Sequence, residues 1–276
     1  MGAALLLAAA AAAPGPWEAL SRGLELGAFE GPAAPHGDRK IHVLRIDPKR
    51  FEVRLASASA PGGGGPRSAR AWAKQSSAVA AINAGMFQPG GKGVSLLRGK
   101  GFTSNGRLTK DKAVLAFAPK RPGLPAVRLL DRDCDDAAAI LEGYEGAAQS
   151  VRMVSCKGQN VWAAQPKRWS AAAVGQDAQG RLLFVHVRTA YTMHELVDAL
   201  LALPIGLSRL MYVEGGPLAQ LWVGAAGREQ SFVGSYETGF HELDDNAGAW
   251  PIPNVLLVVP KAQVRPLRSA PRKRVP

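Results

Sequence analysis

Apolar and polar residues alternate in two neighbouring stretches, "IHVLRID" (41–47) and "FEVRLASA" (51–58), separated by "PKR". Period-two alternation puts one face of a strand in a core and the other in water, so this segment predicts two strands joined as an opening hairpin. "ARAWAKQ" (69–75) predicts a short helix, and the small, apolar "SAVAAINAGMF" (77–87) a buried strand ending at Asn83. Between 93 and 119, glycines and an Asn-Gly pair at turn spacing predict successive hairpins. "CDDAAAILEGYEGAAQS" (134–150) reads as helical or irregular, and "VRMVSCKGQNVWA" (151–163) as strand, turn, strand.

The pattern sharpens in the last third. "AAAVGQDAQGRLLFVHV" (171–187) predicts two strands about a glycine turn. In "TMHELVDALLALP", Thr192 stands three residues before Glu195, a capping-box spacing, and apolar residues at 196, 197, 200, 201 and 203 precede the stop at Pro204. The buried strand "LSRLMYVEGG" follows, giving a β–α–β unit over 182–213, and "PNVLLVV" (253–259) is the last strand. Many hairpin-linked strands and few helices predict an α+β fold with a mixed, mostly antiparallel sheet.

Glu214 stands out in this pattern. It ends an apolar run and is followed at once by Gly215, Gly216 and Pro217. A carboxylate is costly to bury, and groups just past the carboxyl end of a strand in such units commonly meet ligands.

Composition adds a compartment and a charge. The chain has 276 residues, 47% of them apolar, enough for a sizeable core. "MGAALLLAAAAAAPGPW" fits the apolar and cleavage regions of a secretory signal over 1–13, although no Lys or Arg precedes Leu5. The expectation is a secreted or periplasmic protein, with one domain over 17–260 and no membrane span. Export would oxidise Cys134 and Cys156, the two cysteines, into a disulfide, whereas a reducing compartment would leave two buried thiols. The net charge of +12 is partly a basic tail, 261–276, carrying Lys261, Arg265, Arg268, Arg272, Lys273 and Arg274. Proline-punctuated and without a nucleic-acid motif, it reads as a solvated, disordered tail that engages no nucleic acid.

Several chemistries are excluded by their patterns. "PGGGGPRS" lacks the Gly-Lys-Ser/Thr ending of a phosphate loop, and Ser95 and Ser150 lack a nucleophile elbow. His194 falls in the first turn of its helix, a capping position. His241, Glu242, Asp244 and Asp245 in "YETGFHELDDN" have neither HExxH nor EF-hand spacing and read as a polar loop.

Three stretches together resemble the phosphodiester glycosidase family, which has many exported bacterial members: "INAGMF" (82–87) with "GVSLLRGK" (93–100), "QSVRMVSCKGQ" (149–159) with "AAAVGQDAQGRLLFVHV", and the helix from Thr192 running into "YVEGGPLAQLWV". The likeness spans roughly residues 40 to 260. Glu214 stands where the family usually has Asp, Pro217 and Leu218 follow the glycines, and "RWSAAAVG" puts Ala171 at an arginine position with Arg168 three residues upstream.

The resemblance implies hydrolysis of a sugar-1-phosphodiester of an N-acetylglucosamine-1-phosphodiester type. Glu214 would be the catalytic carboxylate, with Arg188 and Arg168 holding phosphate charge. Asn83, Gly85, Ser150, Arg152, Gly215 and Gly216 would bind substrate. The implied partner is a phosphorylated or phosphodiester-linked glycan. No cofactor is implied and no metal ligands are assigned, a divalent cation staying open. So does a second carboxylate, for which Glu242, Asp245 and Asp111 are candidates. The alternative is a non-catalytic glycan- or envelope-binding protein on the same fold.

Overall fold

The computed structural model describes residues 16–225 and 227–262. The signal-like segment 1–13 lies outside the described residues, as does the basic tail apart from Lys261 and Ala262. In chain order the elements are β1 (Trp17–Ser21), β2 (Leu24–Glu30), β3 (Lys40–Ile46), β4 (Phe51–Ser57), α1 (Ala69–Gln75), β5 (Ala80–Asn83), β6 (Leu97–Gly99), β7 (Phe102–Asn105), β8 (Ala113–Pro119) and β9 (Val127–Asp131). They continue with α2 (Ala137–Leu141), β10 (Tyr144–Ser150), β11 (Arg152–Val154), β12 (Trp169–Asp177), β13 (Leu182–Tyr191), α3 (Met193–Ala202), β14 (Leu207–Gly215), β15 (Gln220–Ala225), β16 (Arg228–Val233) and β17 (Asn254–Pro260).

The strands form three antiparallel sheets, ordered β1-β2-β3-β13-β12-β14-β11, β7-β6-β10-β8-β9 and β16-β15-β5-β17-β4. Their inner faces share one core, in which Leu44 and Phe184 of the first sheet, Leu115 and Leu129 of the second, and Ile82, Leu221 and Leu256 of the third are buried together. Each outer face is covered by one helix: α3 on the first, α2 on the second, α1 on the third. This is the expected α+β class, because a sheet apolar on both faces needs a second layer on each.

α3 forms where the capping residues foretell. Thr192 Oγ1 accepts from Glu195 N at 3.2 Å and Glu195 Oε2 accepts from Thr192 N at 3.1 Å, satisfying two end donors reciprocally. Its buried Leu196, Val197 and Leu200 each contribute about 1.5–3 kcal/mol by leaving water. The β–α–β unit is split: β13 and β14 run parallel, but β12 lies between them, antiparallel to both.

The opening hairpin does not form. β3 and β4 follow one another through a turn in which Asp47 O accepts from Arg50 N and Phe51 N. The edges of β3 are nevertheless taken by β2 and β13, so β4 crosses to the third sheet and pairs with β17. Likewise β8 does not pair with β7; it lies between β9 and β10. The segment 144–150, read as helical or irregular, is the central strand β10, where burial on both faces overrides the weak strand preference of Ala and Gly.

Candidate functional site

Glu214 is the penultimate residue of β14 and is buried, 9% exposed. The β12 ladder pairs Ala172 with Glu214 but Ala173 with Tyr212, so β14 accommodates one extra residue, Val213. A bulge of this kind re-aims the side chains at a strand end. Glu214 Oε1 accepts from Gly215 N at 3.1 Å. Burial and the nearby charge of Glu237, against the opposing pull of that one N–H, raise the Glu214 carboxyl from 4.5 to about 8. At neutral pH Glu214 therefore carries its proton.

The glycines are there for space. A Cβ on Gly215 would lie 2.2 Å from Tyr212 Oη and 2.6 Å from Trp169 Cδ1. Gly216 has φ +56°, and a Cβ there would lie 2.2 Å from Glu237 Oε2. The Gly-Gly pair thus lets an aromatic wall close in on one side and a second carboxylate on the other. Glu237 is half-buried, and burial raises its carboxyl above 4.5, Lys167 opposing.

The wall consists of Trp162, Trp169 and Tyr212, with ring centroids 5.6–6.5 Å apart. Tyr212 is held far above its ordinary pKa, first by burial and then by the charges of Glu214 and Glu237. Trp169 Nε1 and Ser150 Oγ are buried without a hydrogen-bond partner among the described residues. Ser150 belongs to this neighbourhood through Val151, whose carbonyl accepts from Tyr212 N at 2.9 Å.

The chain beyond Gly216 is held from two sheets. Asn83 Nδ2 donates to Leu218 O at 3.0 Å while Asn83 Oδ1 accepts from Gln220 N at 2.7 Å. His186 Nε2 lies 3.3 Å from Ala219 O, and burial drives that imidazole down to about 3, so it stays neutral. Gly85, two residues past Asn83, has φ +132° and faces Gln149 O, which brings the "INAGMF" segment beside the end of β10. Of the sequence-predicted residues, the fold gathers Glu214, Gly215, Gly216, Asn83, Gly85 and Ser150.

The arginines are engaged elsewhere. Arg168 forms a two-pronged pair with Glu195 of α3, at 2.7 and 2.9 Å. Arg188 donates to the carbonyls of Val233, Asp244 and Asn246 and pairs with the Asp244 carboxylate at 2.8 Å, clamping the segment between β16 and β17. Arg152 binds Asp131 and Asp133. At the family's arginine position, Ala171 pairs directly with Gly215 in the ladder.

The candidates for a second carboxylate also have other partners. Asp111 Oδ2 accepts from Ser95 Oγ at 2.7 Å, Glu242 from Gly239 N, and Asp245 meets His241 at 3.1 Å. Glu237 holds the place beside Glu214 instead; nothing in its local sequence sets it apart from the acids that follow it. Trp162, Trp169 and Tyr212 were equally unassigned. Cys134 and Cys156 form the disulfide, which draws the end of β9 toward the turn after β11. Nearby Asp131 completes a metal-ligand-like trio with those sulfurs, but both sulfurs are committed to the S–S bond.

A groove of 830 Å³ lies at the other end of the first sheet, where β12 turns into β13 and β14 begins, and none of the residues gathered around Glu214 lines it.

A profile of the phosphodiester glycosidase family matches residues 76–259. Among solved structures, the zebrafish N-acetylglucosamine-1-phosphodiester alpha-N-acetylglucosaminidase catalytic domain, auto-inhibited by its pro-peptide, superposes with a TM-score of 0.62 at 16% identity, over 89% of this chain and 86% of that one. A hypothetical protein from Synechocystis superposes with a TM-score of 0.53 at 14% identity, over 86% of this chain and 62% of that one. No curated protein matches the sequence. At these identities the structural likeness is one of fold.

Proposed function

This chain belongs to the phosphodiester glycosidase family, and from that premise we propose that it is an exported hydrolase breaking the anomeric C–O bond of a sugar-1-phosphodiester, with Glu214 as its proton donor. The observation that carries the reading is the neutral Glu214 beside Glu237 at a strand end walled by Trp162, Trp169 and Tyr212. Paired acids whose environments separate their proton affinities can work as acid and base.

In this reading the C–O bond electrons leave with the phosphate oxygen, and the Glu214 proton neutralises that oxygen. The oxygen of a water molecule bonds to the anomeric carbon, and ionised Glu237 takes the water proton. A protonated Glu214 also suits an anionic substrate, since an ionised carboxylate at about 4 Å would repel phosphate by roughly 4 kcal/mol at a surface-like dielectric. With Ala171 where the family has arginine, this neutral hydrogen-bond donor takes over part of the arginine's task. The Cys134–Cys156 disulfide supports export, because such bonds persist in oxidising compartments.

A non-catalytic glycan-binding protein is the second reading, favoured by Arg152, Arg168 and Arg188 all being engaged in ion pairs. Incubating the wild type and Glu214→Gln with N-acetylglucosamine-phospho-methylmannoside separates the two. Sugar release by the wild type, lost in a variant that still folds, supports the hydrolase; sugar binding without release supports the binding module.

A further inference from the structure

The segment from Gly234 to Pro253 joins β16 to β17 and is long for a connection within a compact fold. It is also rigidly held: Arg188 bonds two of its carbonyls, and Asn246 Nδ2 donates to Gly234 O at 2.7 Å. Yet it exposes Phe240 (62%), Leu243 (62%) and Trp250 (36%), three of the five large apolar side chains exposed among the described residues. Phe240 and Trp250 meet edge to face at 6.2 Å. Concentrated apolar exposure on a fixed scaffold marks a binding surface.

We propose that Phe240 and Trp250 form a further sugar-binding subsite, taking an uncharged ring of a glycan chain that continues beyond the residue held at Glu214. Two observations name this occupant. The patch is anchored to the elements that carry the carboxylate site: Phe240 N and His241 N both donate to the main-chain carbonyl of Glu237, and Gln220, anchored to Asn83, donates to Trp250 O at 2.5 Å. The segment 234–253 carries no Lys or Arg, Asp244 is already paired with Arg188, and Asp245 bonds His241, whose ring meets Trp250 edge-on at 5.9 Å. That setting disfavours phosphate here and leaves a neutral sugar face to stack.

The inference rests on reading Glu214 as the place where the sugar bond is broken, and the two fail separately. The test is binding of chito-, cello- and malto-oligosaccharides of one to five rings to the Glu214→Gln chain, read by tryptophan fluorescence. One series should bind more tightly with each added ring up to the third. Adding Phe240→Ala, a change at an exposed side chain, should weaken the three-ring ligand about tenfold and leave the single ring unchanged, with Leu243→Ser giving a smaller loss. Affinity independent of length, or length dependence untouched by Phe240→Ala, overturns the subsite even if hydrolysis is intact. A patch that instead drives self-association, abolished by Phe240→Ala, overturns it as well. Length-dependent binding lost in Phe240→Ala upholds the subsite even if the wild type hydrolyses nothing, in which case the hydrolase reading alone falls.

Discussion

Glu237 lies against Gly216, two residues past Glu214, and its charge helps hold the Glu214 carboxyl above its ordinary range. Burial acts on both acids, more strongly on Glu214, which is buried, than on Glu237, which is half-buried. Two carboxyl groups so close titrate as a pair, ionisation of one making ionisation of the other harder.

That relationship fixes a pH dependence of stability. The folded Glu214 carboxyl sits near 8 against an ordinary 4.5. For an acid raised by folding, the contribution is fully present below the unfolded value, where both states hold the proton. It is lost as pH rises through the folded value, because the unfolded chain releases the proton earlier. The gap corresponds to at most about 5 kcal/mol. Urea unfolding of wild type and Glu214→Gln should therefore show the variant gaining on the wild type from pH 5 to pH 8.5, with little difference at pH 4.

Activity should follow a bell-shaped profile. The alkaline limb falls near pH 8 as Glu214 loses its proton, and the acid limb rises as Glu237, itself above the ordinary carboxylate range, ionises. In Glu237→Gln, residual kcat/KM should lose its acid limb. The alkaline limb should move to lower pH, because removing the Glu237 charge makes Glu214 easier to ionise.

Gly216→Ala tests the space between the two acids. Its φ of +56° is unfavourable for alanine, and the new methyl would displace the Glu237 carboxylate. A loss of about 1–3 kcal/mol in urea unfolding is expected, with kcat/KM falling at least as far as in Glu237→Gln.

Asn83→Ala removes two side-chain bonds, to Leu218 O and Gln220 N, that fix the segment between Gly216 and β15. Leaving the buried Gln220 N without a partner, and Leu218 O, part-buried, without its bond, should lower stability by about 1–3 kcal/mol in urea unfolding. Asn83 is thus a positioning residue, and its loss should lower kcat more than it raises KM, since the reach of Glu214 changes while the aromatic wall stays.

The Cys134–Cys156 bond closes a stretch of 22 residues. Its removal by paired serine substitution should lower stability by about 3 kcal/mol in the chain-entropy model. Dithiothreitol should produce the same shift in the wild type and none in the double variant.

The sequence made the local features legible. Thr192 and Glu195 announce α3, the apolar run into Glu214-Gly-Gly announces the strand end, and turn residues mark most strands. What it hid depends on long-range geometry. β4 leaves its neighbour because β2, an unrecognised strand, already occupies the edge of β3. Arg168 finds Glu195 across 27 positions, and Arg188 bonds groups more than 40 positions away, so their free charge could not be judged locally. Glu237 looks like any acid of a polar loop until Gly216 gives it room.

The most direct measurement is turnover of N-acetylglucosamine-phospho-methylmannoside in oxygen-18 water, with both products weighed by mass spectrometry. Cleavage at the anomeric carbon puts the label in the released sugar and none in the phosphate, and Glu214→Gln abolishes its appearance. Label in the phosphate, or label in the sugar undiminished in Glu214→Gln, would contradict glycosidic cleavage at Glu214.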